Sequence, residues 1–421
     1  MMGDLNRKKM RMKNAAARAL AILLFAGLLT LALAWFGADP AGAAGAAPAA
    51  GAQDQAAVVI PPKPGPPVDV ANDELAKFIS GLPCDSEALR ALQATPAWQA
   101  YAQALDKGWA ELEAKRWAPM REWAATELAE ANAATRTLFY PFGGPDFVTP
   151  SQMFPDASAY VLFGLEFVGK LPEFAADGPR AAKHLENYLG NLTAAVSDFF
   201  NKSYFITRNM NALLVRDRVE GVLPILCLFL KRTGYTISSV KRCEFLAPGE
   251  VFEYDFSYPR KTFRKPYGVK IEFFQPGSGR VRSLYYFSCN IADEYFAKDS
   301  LYYKYLDGLG FETSLIKSAS YLMQYRYFSN IRSLILARSK FVLQDDTAVP
   351  FKFFSPRIWD VRLYGEYSTP ISEFRGVEQA DLKAAYADPA AVRTLPFHVG
   401  YHWGTQKDSL LLFKRRPAAA R

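Results

Sequence analysis

The sequence has 421 residues, is rich in apolar side chains and is moderately basic. Half of the residues are hydrophobic, 14% are aromatic and the formal net charge is +8, so the chain can bury a large core and lacks the composition of a disordered protein. Residues 1–52 hold six basic and two acidic side chains, which leaves only about +4 for the rest of the chain. Because this remainder is only weakly basic, we expect no nucleic-acid partner.

The N-terminus has the order of a secretory signal. A basic stretch is followed by an apolar run of 18 residues from Ala19 to Phe36 and then by small residues up to Ala52. The run is long for a cleaved signal and is at the lower limit for a membrane span, so residues 1–52 are predicted to be a signal peptide or a membrane anchor. Because the basic residues stay in the cytoplasm, the body is predicted to be periplasmic, or anchored facing the periplasm, with membrane contact only through this segment.

A linker and a helical region follow. Residues 53–72 are predicted to be a Pro/Ala-rich linker. Residues 73–135 are predicted to form a helical cap, in which Thr95 and Pro96 are typical of a helix start. Apolar and aromatic side chains then recur at intervals of three and four, which predicts that they pack in the core. Pro119 is predicted to break or kink the helical run.

The remaining region, 136–421, alternates strand and helix patterns. Buried strands are predicted at 137–142, 159–166 and 341–343, a hairpin at 268–288, helices at 179–200, 222–231 and 329–338, and a closing antiparallel pair at 396–403 and 409–415. These elements predict an α/β fold with a mixed, mainly parallel sheet flanked by helices, an N-terminal helical cap and a C-terminal antiparallel hairpin. The four cysteines are predicted to be buried thiols, with a disulfide between Cys243 and Cys289 as the alternative.

The segment TLFYPFGGPDFVTPSQMFPDASAYVLFGLE at 137–166 resembles the opening of the class I methyltransferase fold. In that fold a glycine-rich turn lets the backbone approach the cofactor, and an acidic residue after the second strand binds the ribose hydroxyls. The resemblance implies these roles for Gly143 and Gly144 and for Glu166. Because adenosylmethionine is not available outside the cytoplasm, we expect the fold but no cofactor.

A second resemblance covers most of the body. The phrases YPFGGPD, KSASYLM, LQDDTAVP and LPFHVGYHWG, which begin at residues 140, 317, 343 and 395, are similar to those of a family of exported bacterial proteins. This resemblance implies export. It supplies no activity and no catalytic residue.

The candidate site residues follow predicted strands. If the strands at 137 and 159 are parallel neighbours, the turn after the first and Glu166 after the second lie at the same edge of the sheet, where ligands of open α/β sheets bind. We therefore predict a ligand site formed by Gly143, Gly144, Asp146 and Glu166. Asp345 and Asp346 follow another predicted strand and join this site only if that strand is also parallel. The alternative for these aspartates is a structural role in turns.

No metal site is predicted. His398 and His402 lie in an alternating pattern that predicts a strand, and at about 3.4 Å per residue their rings would be about 13 Å apart. Such a separation is too large for two ligands of one zinc ion.

Two functions are compatible with these patterns. The first is an exported protein that binds an envelope ligand or a protein partner through a pocket at the strand ends. The alternative is an envelope hydrolase or transferase in which the carboxylates Asp146, Glu166, Asp345 and Asp346 act as acid, base or ligand-orienting groups. The sequence leaves open whether the protein is an enzyme.

Overall fold

The computed structural model describes most of the chain after the predicted linker. The described residues are 65–174, 179–216, 218–258, 267–367, 369–374, 376–405 and 407–417. The predicted signal or anchor and the first part of the predicted linker lie outside them. In the described ranges no helix is both long enough and apolar enough to span a membrane.

The N-terminal part of the described chain is helical, as predicted. Its elements are α1 (Val70–Ile79), α2 (Glu87–Gln93), α3 (Pro96–Leu112), a π-helical turn (Glu113–Trp117), α4 (Ala118–Glu127) and α5 (Ala129–Ala134). Thr95 caps α3 through its side chain, which accepts the N–H of Trp98. Pro119 does not break the run, but the helix changes geometry directly before it, where Glu113–Trp117 form the π-helical turn.

The aromatic side chains of this helical part are core residues, as predicted. Trp98, Trp117 and Trp123 are all at most 8% exposed. The indole of Trp123 packs edge-on against the rings of Tyr364 and Phe397, with centroids 4.9 and 5.5 Å apart. Residues 65–421 group into one compact unit, so the helical part shares its core with the sheet.

Within the described residues, eleven strands form one mixed sheet. The strands are β1 (Thr137–Tyr140), β2 (Ala159–Gly164), β3 (Thr236–Ala247), β4 (Glu250–Tyr254), β5 (Tyr267–Phe274), β6 (Val281–Ser288), β7 (Thr313–Ile316), β8 (Phe341–Gln344), β9 (Trp359–Gly365), β10 (Val392–Arg393) and β11 (Ser409–Arg415). Their order is β10-β9-β11-β8-β7-β1-β2-β6-β5-β3-β4. The central strands β8, β7, β1, β2 and β6 are parallel, and antiparallel pairs lie on both sides of them. The predicted α/β fold class is confirmed.

Helices cover both faces of this sheet. They are α6 (Val148–Met153), α7 (Pro179–Lys202), α8 (Thr207–Leu213), α9 (Leu223–Arg232), α10 (Leu301–Gly308), α11 (Ser329–Arg338) and α12 (Ala380–Ala385). On one face α7 and α9 pack with Leu138 and Tyr140 of β1, and on the other α10 and α11 pack with Phe139. Successive side chains of β1 point to opposite faces of the sheet, so the sheet separates the core into two layers. All four cysteines are buried thiols.

The strand predicted at 396–403 is wrong, because this segment is a loop. Pro396 has no N–H to donate to a strand ladder, and Gly400 adopts a left-handed backbone with φ +76°. Aromatic and polar side chains alternate in this segment as they would in a strand, but the segment pairs with no strand of the described sheet. The final strand β11 is antiparallel, but it pairs with β8 and β9.

A buried ion pair joins helix α1 to helix α9 and yields a first prediction. Lys231 Nζ lies 2.7 Å from Asp73 Oδ1, and both side chains are less than 8% exposed. The substitution Lys231→Met leaves the Asp73 carboxylate buried without its counter-charge, so we expect the free energy of unfolding to fall by about 3–5 kcal/mol. Urea unfolding followed by circular dichroism measures this change.

The exposed pair Lys183–Glu186 provides the control. Its side chains are 65% and 59% exposed, so Lys183→Met should change the free energy of unfolding by less than about 0.5 kcal/mol. Equal effects of the two substitutions would contradict the assignment of Lys231 as a structural cation.

Candidate functional site

The parallel strands end at one edge of the sheet, which we call the carboxyl edge. β1 pairs with β2 on one side and with β7 on the other, so the strand order reverses at β1, and ligands of open α/β sheets bind at such a switch point. The prediction that the strands at 137 and 159 are parallel neighbours is confirmed. Because β8 is parallel to β7, Asp345 and Asp346 belong to the same edge.

A buried ion pair occupies the switch point. Lys317, which follows β7, places its Nζ 3.0 Å from Oδ2 of Asp146, which follows β1, and these side chains are only 3% and 1% exposed. Tyr140 donates its hydroxyl to the same oxygen at 3.0 Å. The N–H of Thr149, in the first turn of α6, donates to Asp146 Oδ1 at 3.0 Å. Asp146 therefore links two loops and a helix inside the protein.

Glu166 lies beside the glycine turn, as predicted, but it is directed into the protein. A Cβ placed on Gly144 would be 3.5 Å from Glu166 Oε2. The same oxygen accepts the hydroxyl of Tyr286 and the N–H of Leu165, both at 3.1 Å, and the residue is 2% exposed. Glu166 Oε2 is thus bonded to groups of the protein itself.

Asp345 and Asp346 are also buried and bonded. Asp345 Oδ2 accepts the N–H of Ser318 at 2.7 Å, and its Oδ1 accepts both the N–H and the hydroxyl of Thr347. Asp346 accepts the hydroxyls of Tyr321 and Ser409. Burial, together with the neighbouring charge of Asp346, raises the pKa of Asp345 to about 7, and burial raises the pKa of Asp346.

These aspartates hold a strained loop. Among the described residues, six non-glycine residues have a positive φ, and five of them surround the switch point, with φ between 51° and 66°: Phe142, Ser203, Ser318, Ser320 and Tyr321. Such conformations are unfavourable and persist only when surrounding contacts fix them. The bonds from Asp345 to Ser318 and from Asp346 to Tyr321 supply such contacts.

The 397–405 loop covers Asp345. A Cβ on Gly400 would be 2.8 Å from Asp345 Oδ2, and the N–H of Gly400 donates to Ser203 Oγ at 3.1 Å. Tyr401 donates its hydroxyl to the carbonyl of Ser318 at 2.8 Å. This loop therefore contributes to closing the centre of the carboxyl edge.

A cavity of about 510 Å³ lies farther along the same edge, beside β9, β10 and β11. Gly365 is the last residue of β9, Thr394 follows β10, and Asp408 precedes β11. The lining residues come from these three strand ends and from nearby loops: Gly365, Glu366, Tyr367, Tyr386, Pro389, Val392, Arg393, Thr394, Leu395, Phe397, His398 and Asp408.

His398 and Asp408 form a pair in this cavity. His398 Nδ1 lies 2.7 Å from Asp408 Oδ2, and the imidazole is 42% exposed whereas the carboxylate side chain is 3% exposed. Asp408 Oδ1 is itself buried from solvent. Burial raises the pKa of Asp408. A partly exposed imidazole that a buried carboxylate orients can hydrogen-bond a ligand or transfer a proton.

The structure thus brings the predicted residues to one edge of the sheet, but they do not line this cavity. Gly143, Gly144, Asp146, Glu166, Asp345 and Asp346 all lie at the carboxyl edge, yet none of them lines the cavity. Sequence reasoning missed His398 and Asp408 as partners, because it placed His398 on a strand. The only signal for Asp408 is its position directly before the final strand.

The described part of the chain contains no group of three or more His, Cys, Asp or Glu side chains placed to hold a metal ion. The two histidines considered together in the sequence have different partners. His398 bonds to Asp408, whereas His402 Nδ1 lies 3.4 Å from Thr405 Oγ1.

Fold and site together define a mixed α/β protein with a small-molecule-sized cavity at the carboxyl edge of its sheet. Comparison of the sequence with protein-family models and with curated proteins finds no match.

The raised pKa of Asp345 predicts a pH dependence of stability. An unfolded aspartate has a pKa of about 3.9, whereas the pKa of folded Asp345 is about 7. The folded state therefore binds more protons between these values, and its stability should fall as the pH rises from about 4 to about 7. Removing the charge of Asp346 lowers the pKa of Asp345, so Asp346→Asn should reduce this fall by roughly 1–3 kcal/mol.

Chemical unfolding at a series of pH values measures this effect. The exposed Asp299→Asn is the control and should follow the wild-type profile. A profile of Asp346→Asn that coincides with the wild type would contradict the coupling of the two buried carboxyls.

The glycine at position 400 yields a further prediction. An alanine there would adopt an unfavourable positive φ and would place its Cβ 2.8 Å from Asp345 Oδ2, so Gly400→Ala should reduce the free energy of unfolding by about 1–3 kcal/mol. Gly404, whose added Cβ would meet no atom within 4 Å, is the control in the same loop. A melting temperature of Gly400→Ala equal to that of Gly404→Ala would rule out tight packing of this loop on Asp345.

Proposed function

We propose that this chain is an exported protein that binds a small ligand in the cavity beside β9, β10 and β11. The observation that carries the proposal is the pair of His398 and Asp408, a partly exposed imidazole and a buried carboxylate on the wall of a cavity of about 510 Å³. A concave site of this size with a few polar groups is typical of small-molecule binding. The cavity lies at the same edge of the sheet as the predicted ligand pocket, but at the ends of other strands.

The cellular setting is part of the proposal. The basic, apolar and small-residue order of residues 1–52 supports export, either as a cleaved signal or as an anchor. The ligand is accordingly a molecule of the cell envelope, and the membrane contacts the chain only through the N-terminal segment.

A methyltransferase-like fold also belongs to the proposal, without methyl transfer. The parallel pairing of β1 and β2 and the insertion of antiparallel β11 between β8 and β9 support this fold. The residues at its cofactor position do not fit adenosylmethionine, because Glu166 is 2% exposed and bonded to Tyr286. The ion pair of Asp146 and Lys317 occupies the neighbouring space. We therefore propose no cofactor.

An envelope hydrolase or transferase is the second candidate function. The carboxylates that the sequence predicts for catalysis are all at most 4% exposed and are bonded within the protein: Asp146, Glu166, Asp345 and Asp346. The observation that favours catalysis is instead the 2.7 Å contact between His398 and Asp408, which fixes the imidazole for proton transfer. Turnover of a bound compound that His398→Gln abolishes without loss of binding would support this candidate over simple binding.

A ligand screen tests the proposed cavity. We expect a set of small envelope metabolites to contain compounds that raise the melting temperature of the full-length protein, because a ligand that binds only the folded state at 100 times its dissociation constant adds about 2.7 kcal/mol. Thr394→Phe introduces a large side chain on the exposed wall of the cavity. It should abolish the response to these compounds while leaving the unliganded melting temperature nearly unchanged.

Thr126→Phe, on the exposed side of α4, is the matched control and should keep the full response. A response that survives in Thr394→Phe would place the ligand elsewhere. The absence of any stabilising compound in the wild-type protein would count against the binding function.

A further inference from the structure

Three exposed aromatic side chains form a surface outside the cavity, in the segments that connect β7 to β9. Tyr325, Tyr327 and Phe353 are 43%, 50% and 37% exposed, and none of them lines the cavity. We call these three rings the aromatic platform. We propose that the platform, with the cations beside it, binds an acidic polysaccharide of the cell envelope. This second binding surface does not depend on the ligand of the cavity.

The two tyrosine rings of the platform are stacked on each other. Their centroids are 5.2 Å apart and their planes differ by only 10°. Among the described residues their hydroxyls have no hydrogen-bond partner. A tyrosine presents an apolar face and a polar tip, and a sugar ring can pack its C–H groups on the face while its hydroxyls bond to the tip. The exposed pair therefore has both kinds of contact that a sugar requires.

The backbone beneath the platform is fixed by hydrogen bonds. Arg332 donates through Nη1 to the carbonyl of Tyr325 at 3.3 Å, and the N–H of Asp293 donates to the carbonyl of Tyr327 at 2.7 Å. The same guanidinium lies 4.2 Å from the centroid of the Phe353 ring, so one side chain connects the tyrosines to Phe353. A surface that is already ordered loses less conformational entropy when it binds.

Cations beside the platform favour an acidic polysaccharide over a neutral one. Lys352 places its Nζ 5.6 Å from the centroid of the Phe353 ring. Arg326 is exposed and lies between the two tyrosines in the sequence. In the described part of the chain neither cation forms a salt bridge, so both can pair with the carboxylates of uronic acid units.

The size and charge of the surface argue against other partners. Three rings that are about half exposed supply only a small part of the roughly 800 Å² that each partner buries in a stable protein interface. Aromatic rings with nearby cations also bind single-stranded nucleic acids. The chain after residue 52 has a formal charge of only about +4, and the proposed export separates it from nucleic acids. A polysaccharide fits these observations best.

Five polymers test the proposal. Polygalacturonate, alginate and hyaluronate are compared with neutral dextran and with oligo(dT), and each is titrated into the full-length protein by calorimetry at 0.15 M salt, which screens weak charge contacts. We expect at least one acidic polysaccharide to bind about tenfold or more tightly than dextran and oligo(dT). Equal or tighter binding of oligo(dT), or no binding of the three acidic polysaccharides, would overturn the proposal.

Substitutions locate the binding surface. Tyr325→Ala and Tyr327→Ala each remove an exposed ring and should weaken binding of the acidic polysaccharide about five- to tenfold. Tyr258→Ala, at an exposed tyrosine after β4, is the control and should bind as the wild type does. Lys352→Gln should reduce the preference for the acidic polymer over dextran, whereas Lys107→Gln, on the exposed side of α3, should not.

Folding is checked separately from binding. The side chains of the platform are exposed, so the melting temperatures of these variants should stay close to that of the wild type. Wild-type affinity in both Tyr325→Ala and Tyr327→Ala would contradict the proposal. The function proposed for the cavity is judged independently by Thr394→Phe and the metabolite screen, because no residue of the platform lines the cavity.

Discussion

The parallel pairing of the five central strands is the constraint on which the site depends. Parallel strands present all their carboxyl ends at one edge, so the loops after β1, β2, β7 and β8 converge even though they lie far apart in the sequence. Because β11 runs antiparallel between β8 and β9, its first residues also reach this edge. Asp408, directly before β11, thereby meets the residues that follow β9 and β10, and a cavity wall forms from segments that no local motif connects.

Much of this framework could be predicted from the sequence. The apolar segments at 137 and 159, with a glycine turn between them, predicted the parallel pair, and the proximity of Gly144 to Glu166 followed from it. The cavity could not be predicted in the same way. Its walls depend on how β9, β10 and β11 pair, and the periodicity of the 396–403 segment wrongly indicated a strand. An alternating pattern indicates only which side chains face the same side of an extended segment. At 396–403, Pro396 lacks an N–H and Gly400 has a left-handed backbone, so the segment does not form the hydrogen bonds of a strand.

The buried carboxylates also show why residue type and location do not suffice to assign a role. Aspartates after parallel strands are suitable for ligands or catalysis, yet Asp146, Asp345 and Asp346 direct their oxygens to Lys317, to backbone N–H groups and to hydroxyls. The bonds from Asp345 and Asp346 help to fix a loop in which Ser318 and Tyr321 have unfavourable positive φ. Only the three-dimensional arrangement separates carboxylates that stabilise loops from a carboxylate such as Asp408, which orients the partly exposed imidazole of His398 on the wall of a cavity.

The energetics favour the cavity beside β9, β10 and β11 over the switch point as the place for the proposed ligand. Opening the switch point to a ligand would break the buried pair of Asp146 and Lys317 and leave a charge without its partner, which costs about 3–5 kcal/mol for a pair of this kind. It would also release the contacts that keep Ser318 and Tyr321 at positive φ. The cavity beside β9 and β10 requires neither change, because its aromatic wall and the pair of His398 and Asp408 are already in place. A ligand that binds there gains contacts without disturbing the ion pair that joins the central loops.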